Sequence, residues 1–190
     1  MGKIVITTNM SLDGVVQDPD GQEGFRRGGW FARFGGADLE AWATLETDEA
    51  LRAEAILLGR RSDEWFAARW NGRSGEWADK LNAMPKYVVS SSLDEPKWVN
   101  ATVLTGDVPA QVAKLKQGLS GDILVYASYH LARTLIENDL VDELRLVVFP
   151  VILGDGQRLF GTTSDQKQLR LLSTQPLGEG LSFLTYEFLR

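Results

Sequence analysis

Short runs of β-branched and large apolar residues recur along the chain at Lys3 to Thr8, Ala55 to Leu58, Tyr87 to Ser90, Thr102 to Leu104, Ile123 to Tyr126 and Leu144 to Phe149. Most are nearly continuous in apolar character, as strands covered on both faces must be. Helical patterns fall between them, at Asp48 to Glu54, Ser62 to Trp70 and Pro109 to Gly118. A fourth runs from Ser128, a candidate N-cap, to Asn138, a candidate stop, with Leu131, Ala132, Leu135 and Ile136 on one stripe. Strand and helix in alternation imply right-handed parallel crossovers. The tail differs, because Leu169 to Thr174 and Leu181 to Leu189 are joined through Gln-Pro-Leu-Gly-Glu-Gly without a helix. These two segments should pair as an antiparallel hairpin at a sheet edge. The expected fold class is α/β, a three-layer α/β/α arrangement around a mixed, mainly parallel sheet.

With 190 residues, 44% of them hydrophobic, the chain can fill one sizeable core, and a single domain over residues 1–190 is expected. The sequence has no cysteine and one histidine, His130, which excludes disulfides, a thiolate nucleophile and multi-histidine metal sites. No metal is expected. The start Met-Gly-Lys-Ile-Val-Ile-Thr-Thr turns polar too early for a signal segment or a membrane span, so a cytoplasmic protein is expected. A net charge of -6 repels nucleic acid and anionic membranes, and neither is an expected partner. An anionic ligand then has to be held by local positive groups.

Two stretches stand apart: Asp18 to Asp38, with Phe25, Trp30, Phe31 and Phe34, and the loop from Gly154 to Asp165. The aromatic groups of the first require burial or a ligand. Four further segments can carry chemistry. In Ile-Leu-Leu-Gly-Arg-Arg-Ser, a buried strand ends at Gly59 and a helix begins near Ser62, so free N–H groups and the helix dipole lie beside Arg60 and Arg61. That suits a phosphate, gripped by planar guanidinium groups, although Ser62, Asp63 and Glu64 also read as simple helix capping. Ser90, Ser91 and Ser92 end a strand where open α/β sheets bind ligands, and serines also merely start turns. At Ala127-Ser128 small side chains at a strand-helix junction let a pyrophosphate approach the amides, or only make a tight turn. Asp13-Gly14 is a turn signal whose carboxylate orients a substrate, relays a proton or only closes the turn. His130, in a first helical turn, reads as a surface or packing residue.

The segments Met-Ser-Leu-Asp-Gly-Val-Val from Met10, Ile-Leu-Leu-Gly-Arg-Arg-Ser-Asp-Glu-Trp-Phe from Ile56, Leu81 to Leu93 and above all Leu131 to Phe160 occur in an order that resembles the dihydrofolate-reductase superfamily. The resemblance spans almost the whole chain. It is closer to bacterial proteins related to the reductase domain of the bifunctional riboflavin-biosynthesis deaminase-reductase. It implies a dihydrofolate-reductase-like fold with NADPH lying across the carboxyl ends of the central strands. Carried over, Gly59, Arg60, Arg61, Ser62, Ser90, Ser91 and Ser92 would surround the adenosine 2′-phosphate, and Ala127, Ser128 and Tyr129 would take the pyrophosphate. Thr7, Thr8, Leu12, Gly14 and Val16 would lie near the nicotinamide, Asp13 would serve catalysis, and Trp30 and Phe31 would contact the substrate. The implied reaction is hydride transfer to a small heterocycle such as a pterin or a ribosylaminopyrimidine. A flavin-using reductase and a non-catalytic binder of the same fold are the alternatives. A homodimer through the late strands is implied as well. The junction departs from the family pattern, with Ala127 where glycine is usual, and alanine disfavours a glycine-type turn. The acidic residue of the first helix in dihydrofolate reductases has only Glu46, Asp48 and Glu49 nearby.

Overall fold

The computed structural model describes all residues, Met1–Arg190. Strands β1 (Lys3–Ser11), β2 (Ala53–Gly59), β3 (Lys86–Val89), β4 (Ala101–Leu104), β5 (Asp122–Tyr126), β6 (Glu143–Phe149), β7 (Leu169–Leu177) and β8 (Leu181–Phe188) form one sheet in the order β4-β3-β2-β5-β1-β6-β8-β7. The first six are mutually parallel, while β8 runs antiparallel to both β6 and β7. The mixed sheet and its C-terminal hairpin are therefore as expected. Parallel strands joined by helices need cover on both faces, and the alternation of side chains supplies it. Ile4, Ile6, Ala55, Leu57, Ile123 and Val125 pack beneath α5 (Val108–Gly118) and α6 (Tyr129–Glu137). Val5, Ile56, Leu58, Leu124 and Tyr126 face α2 (Leu39–Arg52), α3 (Arg60–Trp70) and α4 (Glu76–Ala83).

The aromatic stretch is a third piece of core. Trp30 opens the short helix α1 (Trp30–Gly35) and packs with Phe149, Leu177, Leu181 and Phe183, closing the β6–β8 end of the sheet. No helix is long and apolar enough to cross a membrane.

Several boundaries differ from the sequence-based expectation. The helix expected at Asp48 to Glu54 begins nine residues earlier, at Leu39, and ends at Arg52, with β2 starting at once. Its inward face buries Glu46 and Glu49 beside Ala50, so the apolar period fails where the helix is real. β1 runs on to Ser11 through the polar residues Asn9 and Ser11, and α4 has only Ala78 and Leu81 buried, too few for a clear stripe.

Candidate functional site

Because β1 to β6 are parallel, their last residues, from Ser11 to Phe149, share one edge, where open α/β sheets present loops and helix starts. Arg60 and Arg61 lie in the first turn of α3 rather than ahead of it, since the helix starts at Arg60. Arg60 lines a cleft of about 360 Å³ together with Val89, Ser90, Ser91, Ser92, Leu104, Gly106 and Val108. Three connections thus converge there: β2 to α3, β3 to β4, and β4 to α5. Ser90 Oγ accepts the Ser92 and Leu93 N–H groups at 3.2 and 3.1 Å, which folds the loop. Ser91 and Ser92 are left exposed at the rim. The guanidinium of Arg60 also meets Glu64 at 3.1 Å. Arg61 is not among the residues that line this cleft; it pairs with Glu23, 3.3 Å distant, in the loop after β1. Of the two arginines expected there, Arg60 alone lines the cleft with the serines.

A second junction joins β5 to α6. Ala127 and Ser128 have φ of 50° and 53°, both in the left-handed region. Alanine disfavours a glycine-type turn, yet the turn forms here, and the chain bears the strain of two such residues in succession. Ser128 occupies the N-cap position without a side-chain cap bond. Its hydroxyl instead accepts the Gly59 N–H at 3.0 Å and donates to Ser62 Oγ at 2.7 Å. Ser62 and Ser128 thus tie the two strand-helix junctions together. In α6 the first amide bonded within the helix is that of Ala132, to Ser128 O, so the amides of the preceding turn remain open. Tyr129 packs against the core, with its ring 4.3 Å from that of His130 and 5.3 Å from the Arg133 guanidinium carbon.

At the end of β1, Asp13 accepts from Ser11 Oγ at 2.7 Å, Leu153 N at 3.0 Å and Gly154 N at 2.8 Å. Arg158 Nε donates to its carbonyl at 3.0 Å. Burial pushes the Asp13 carboxyl up, but these bonds outweigh it and bring the pKa down to about 2. Asp13 is therefore an anion near neutral pH and staples the turn to the loop after β6. Gly14 has φ 83°, which its turn requires. Leu12 is exposed, Val16 is buried, and Thr8 lies half-buried on β1. Thr7 is buried and donates to Glu49 Oε2 at 2.9 Å, which commits its hydroxyl to α2. Trp30 is also a correction: it is 1% exposed, edge-on to Phe149 at 5.2 Å, and belongs to the core. Phe31 is half-buried against Trp42 and Phe149.

Sequence reading brought Glu46 and Glu49 forward only as acidic residues near the first helix, and it missed the Arg145 network that holds Glu49. Under α2, Arg145 joins Glu49 at 3.2 Å, Asp122 at 3.1 Å and Glu143 at 2.6 Å. Burial pushes Glu49 up against the pull of Arg145 and Thr7. Burial first, and then the charge of Glu49, push Glu46 well above the ordinary carboxyl range. Burial does the same to Tyr126, whose hydroxyl has no hydrogen-bond partner. The signal available was the i, i+3 spacing of Glu46 and Glu49, which reads equally well as a solvated face.

Residues 2–183 match the family described as RibD C-terminal domain. The uncharacterized protein YyaP of Bacillus subtilis (strain 168) is 25% identical over 196 residues, covering 98% of this chain and 95% of its own. A protein from Shewanella sp. PV-4, whose name links it to riboflavin biosynthesis, superposes with a TM-score of 0.76 at 18% identity, covering 99% of both chains. Dihydrofolate reductase from Enterococcus faecalis, complexed with NADP(H) and RAB-propyl, superposes with a TM-score of 0.64 at 15% identity, covering 100% of this chain and 98% of that one. These superpositions establish a dihydrofolate-reductase-like fold.

Proposed function

This chain belongs to the RibD C-terminal domain family, and from that premise we propose that it is an NADPH-dependent reductase acting on a small electron-poor heterocycle, of the pterin or ribosylaminopyrimidine class. Family membership supports the reductase type, and the naming of the Shewanella relative supports the link to riboflavin biosynthesis. NADP(H) in the Enterococcus enzyme of the same fold supports the cofactor. The observation that carries the reading is the convergence of Arg60 with Ser90, Ser91 and Ser92 on one cleft at the carboxyl edge of the sheet. A guanidinium and free hydroxyls fit a phosphate, and the start of α3 adds the positive end of its dipole. In a chain of net charge -6 that local fit is what an anion needs.

In this reading Arg60 with Ser91 and Ser92 hold the 2′-phosphate, and the open amides of the Ala127–Tyr129 turn hold the pyrophosphate. The cofactor, when bound, supplies the hydride. The chain contributes alignment. Asp13 keeps the turn from Leu12 to Val16 fixed beside the nicotinamide end, and the half-buried Phe31 limits the space for the acceptor. With its pKa near 2 Asp13 is an anion near neutral pH, so its part is to hold the turn rather than to give a proton. The test is loss of dihydronicotinamide absorbance with pterins, ribosylaminopyrimidines and quinones, with both NADPH and NADH. Oxidation of NADPH with one of the first two classes is expected. Binding without oxidation across the panel contradicts the enzymatic reading, and a yellow purified protein points to a flavin instead.

A further inference from the structure

The cleft is assembled from parts that are distant in sequence, and one buried charge joins them. Asp63, on the first turn of α3, is 0% exposed. Its two carboxylate oxygens accept consecutive backbone N–H groups, Lys97 at 2.7 Å and Trp98 at 3.0 Å. Those residues close the β3–β4 connection that begins with Ser90, Ser91 and Ser92. The anchored Trp98 is itself buried, stacked on Phe66 of the same helix at 4.8 Å with 5° between the rings.

A wholly buried carboxylate is costly unless strongly bonded, and an asparagine would disturb the packing little. Asp63 also places a negative charge three residues from Arg60, which on Coulomb grounds opposes an anion in the cleft. Both facts are accounted for when the carboxylate fixes the serine loop to the helix that carries Arg60.

We propose that Asp63 is a positioning residue of the cleft: through the Lys97 and Trp98 amides it sets Ser91 and Ser92 at the distance from Arg60 that one phosphate requires. The role rests on the reading of the cleft as a 2′-phosphate site. Charge and position predict opposite signs, which separates them. If Asp63 acts only as a nearby charge, its neutralisation strengthens NADPH binding. If it positions the loop, neutralisation weakens it.

The experiment titrates NADPH and NADH, by tryptophan fluorescence, against the wild-type chain, Asp63→Asn and Asp63→Ala, with circular dichroism melts to establish that each is folded. Asp63→Asn is near-isosteric and keeps one acceptor oxygen, so it serves even where Asp63→Ala fails to fold. The expected result is a graded loss of NADPH affinity, smaller for Asn and about tenfold or more for Ala, with NADH affinity unchanged. A folded Asp63→Asn whose preference for NADPH equals or exceeds that of the wild type overturns the role. So does an equal loss of both dinucleotides. A wild type that binds the two alike overturns the reading of the cleft and this role together, so the two failures are distinct.

Discussion

At Ala127 the backbone sits at φ 50°, where the Cβ of an L residue crowds the following carbonyl, at a cost of about 1–2 kcal/mol. Ala127→Gly removes that crowding, and urea unfolding should show a gain of about 1 kcal/mol, less whatever glycine loses in unfolded-state entropy. A loss of stability would contradict the strain. Asp13 makes a second prediction. Its folded pKa, about 2, lies below the ordinary 3.8, so its contribution to stability is complete above the ordinary value and lost as pH falls through the folded one. Melts of the wild type against Asp13→Asn should converge as the pH drops across that window; a constant gap would mean that the carboxylate is not bonded as described. Single residues also mark the limit of sequence reading. The motif around Gly59 brought Arg60 and Arg61 forward together, but where Arg61 points is decided by Glu23, thirty-eight positions earlier, and no local pattern reports that contact. Trp30 stood out as a large aromatic in a polar stretch, and only the fold reveals Phe149 beneath it.

Helix α2 was legible in sequence only at its last turns, and its inner face explains why. Helical periodicity detects apolar stripes, whereas this helix presents Glu46 and Glu49 to the sheet and satisfies the second with Thr7 and Arg145. Strands β1, β2 and β5, by contrast, are near-continuous apolar runs covered on both sides, and pattern alone locates them to within three residues at either end. Two outcomes belong to α2. Glu46 has a folded pKa above its ordinary 4.5, so its contribution to stability is present below that value and declines as pH rises. Glu46→Gln should therefore be more stable than the wild type at neutral pH, with the difference shrinking toward pH ~4 in thermal melts. The converse change breaks the network: Arg145→Met leaves Glu49 buried without its cation and should cost about 3–5 kcal/mol in denaturant unfolding.

Over the whole molecule, parallel connectivity gathers residues from the β2–α3, β3–β4 and β5–α6 junctions at one edge, an arrangement legible in the order of motifs along the chain. The hydroxyl link from Ser128 to Gly59 and Ser62 was not legible, because it requires the register of β2 and β5 side by side. At the opposite side of the sheet β7 is an edge strand on which Leu171 and Leu172 are each 49% exposed. Unpaired backbone and apolar side chains on such an edge suit a second copy, and sedimentation should report a dimer that Leu172→Lys weakens. In the proposed function one arginine and the serine loop, not two arginines, read the cofactor's extra phosphate. Its most direct test is the ratio of NADPH to NADH dissociation constants in the wild type, Arg60→Ala and Arg61→Ala. The account predicts a wild-type preference for NADPH of about 10-fold or more, erased in Arg60→Ala and kept in Arg61→Ala. Equal binding of the two dinucleotides by the wild type, or a preference that survives in Arg60→Ala, would contradict it.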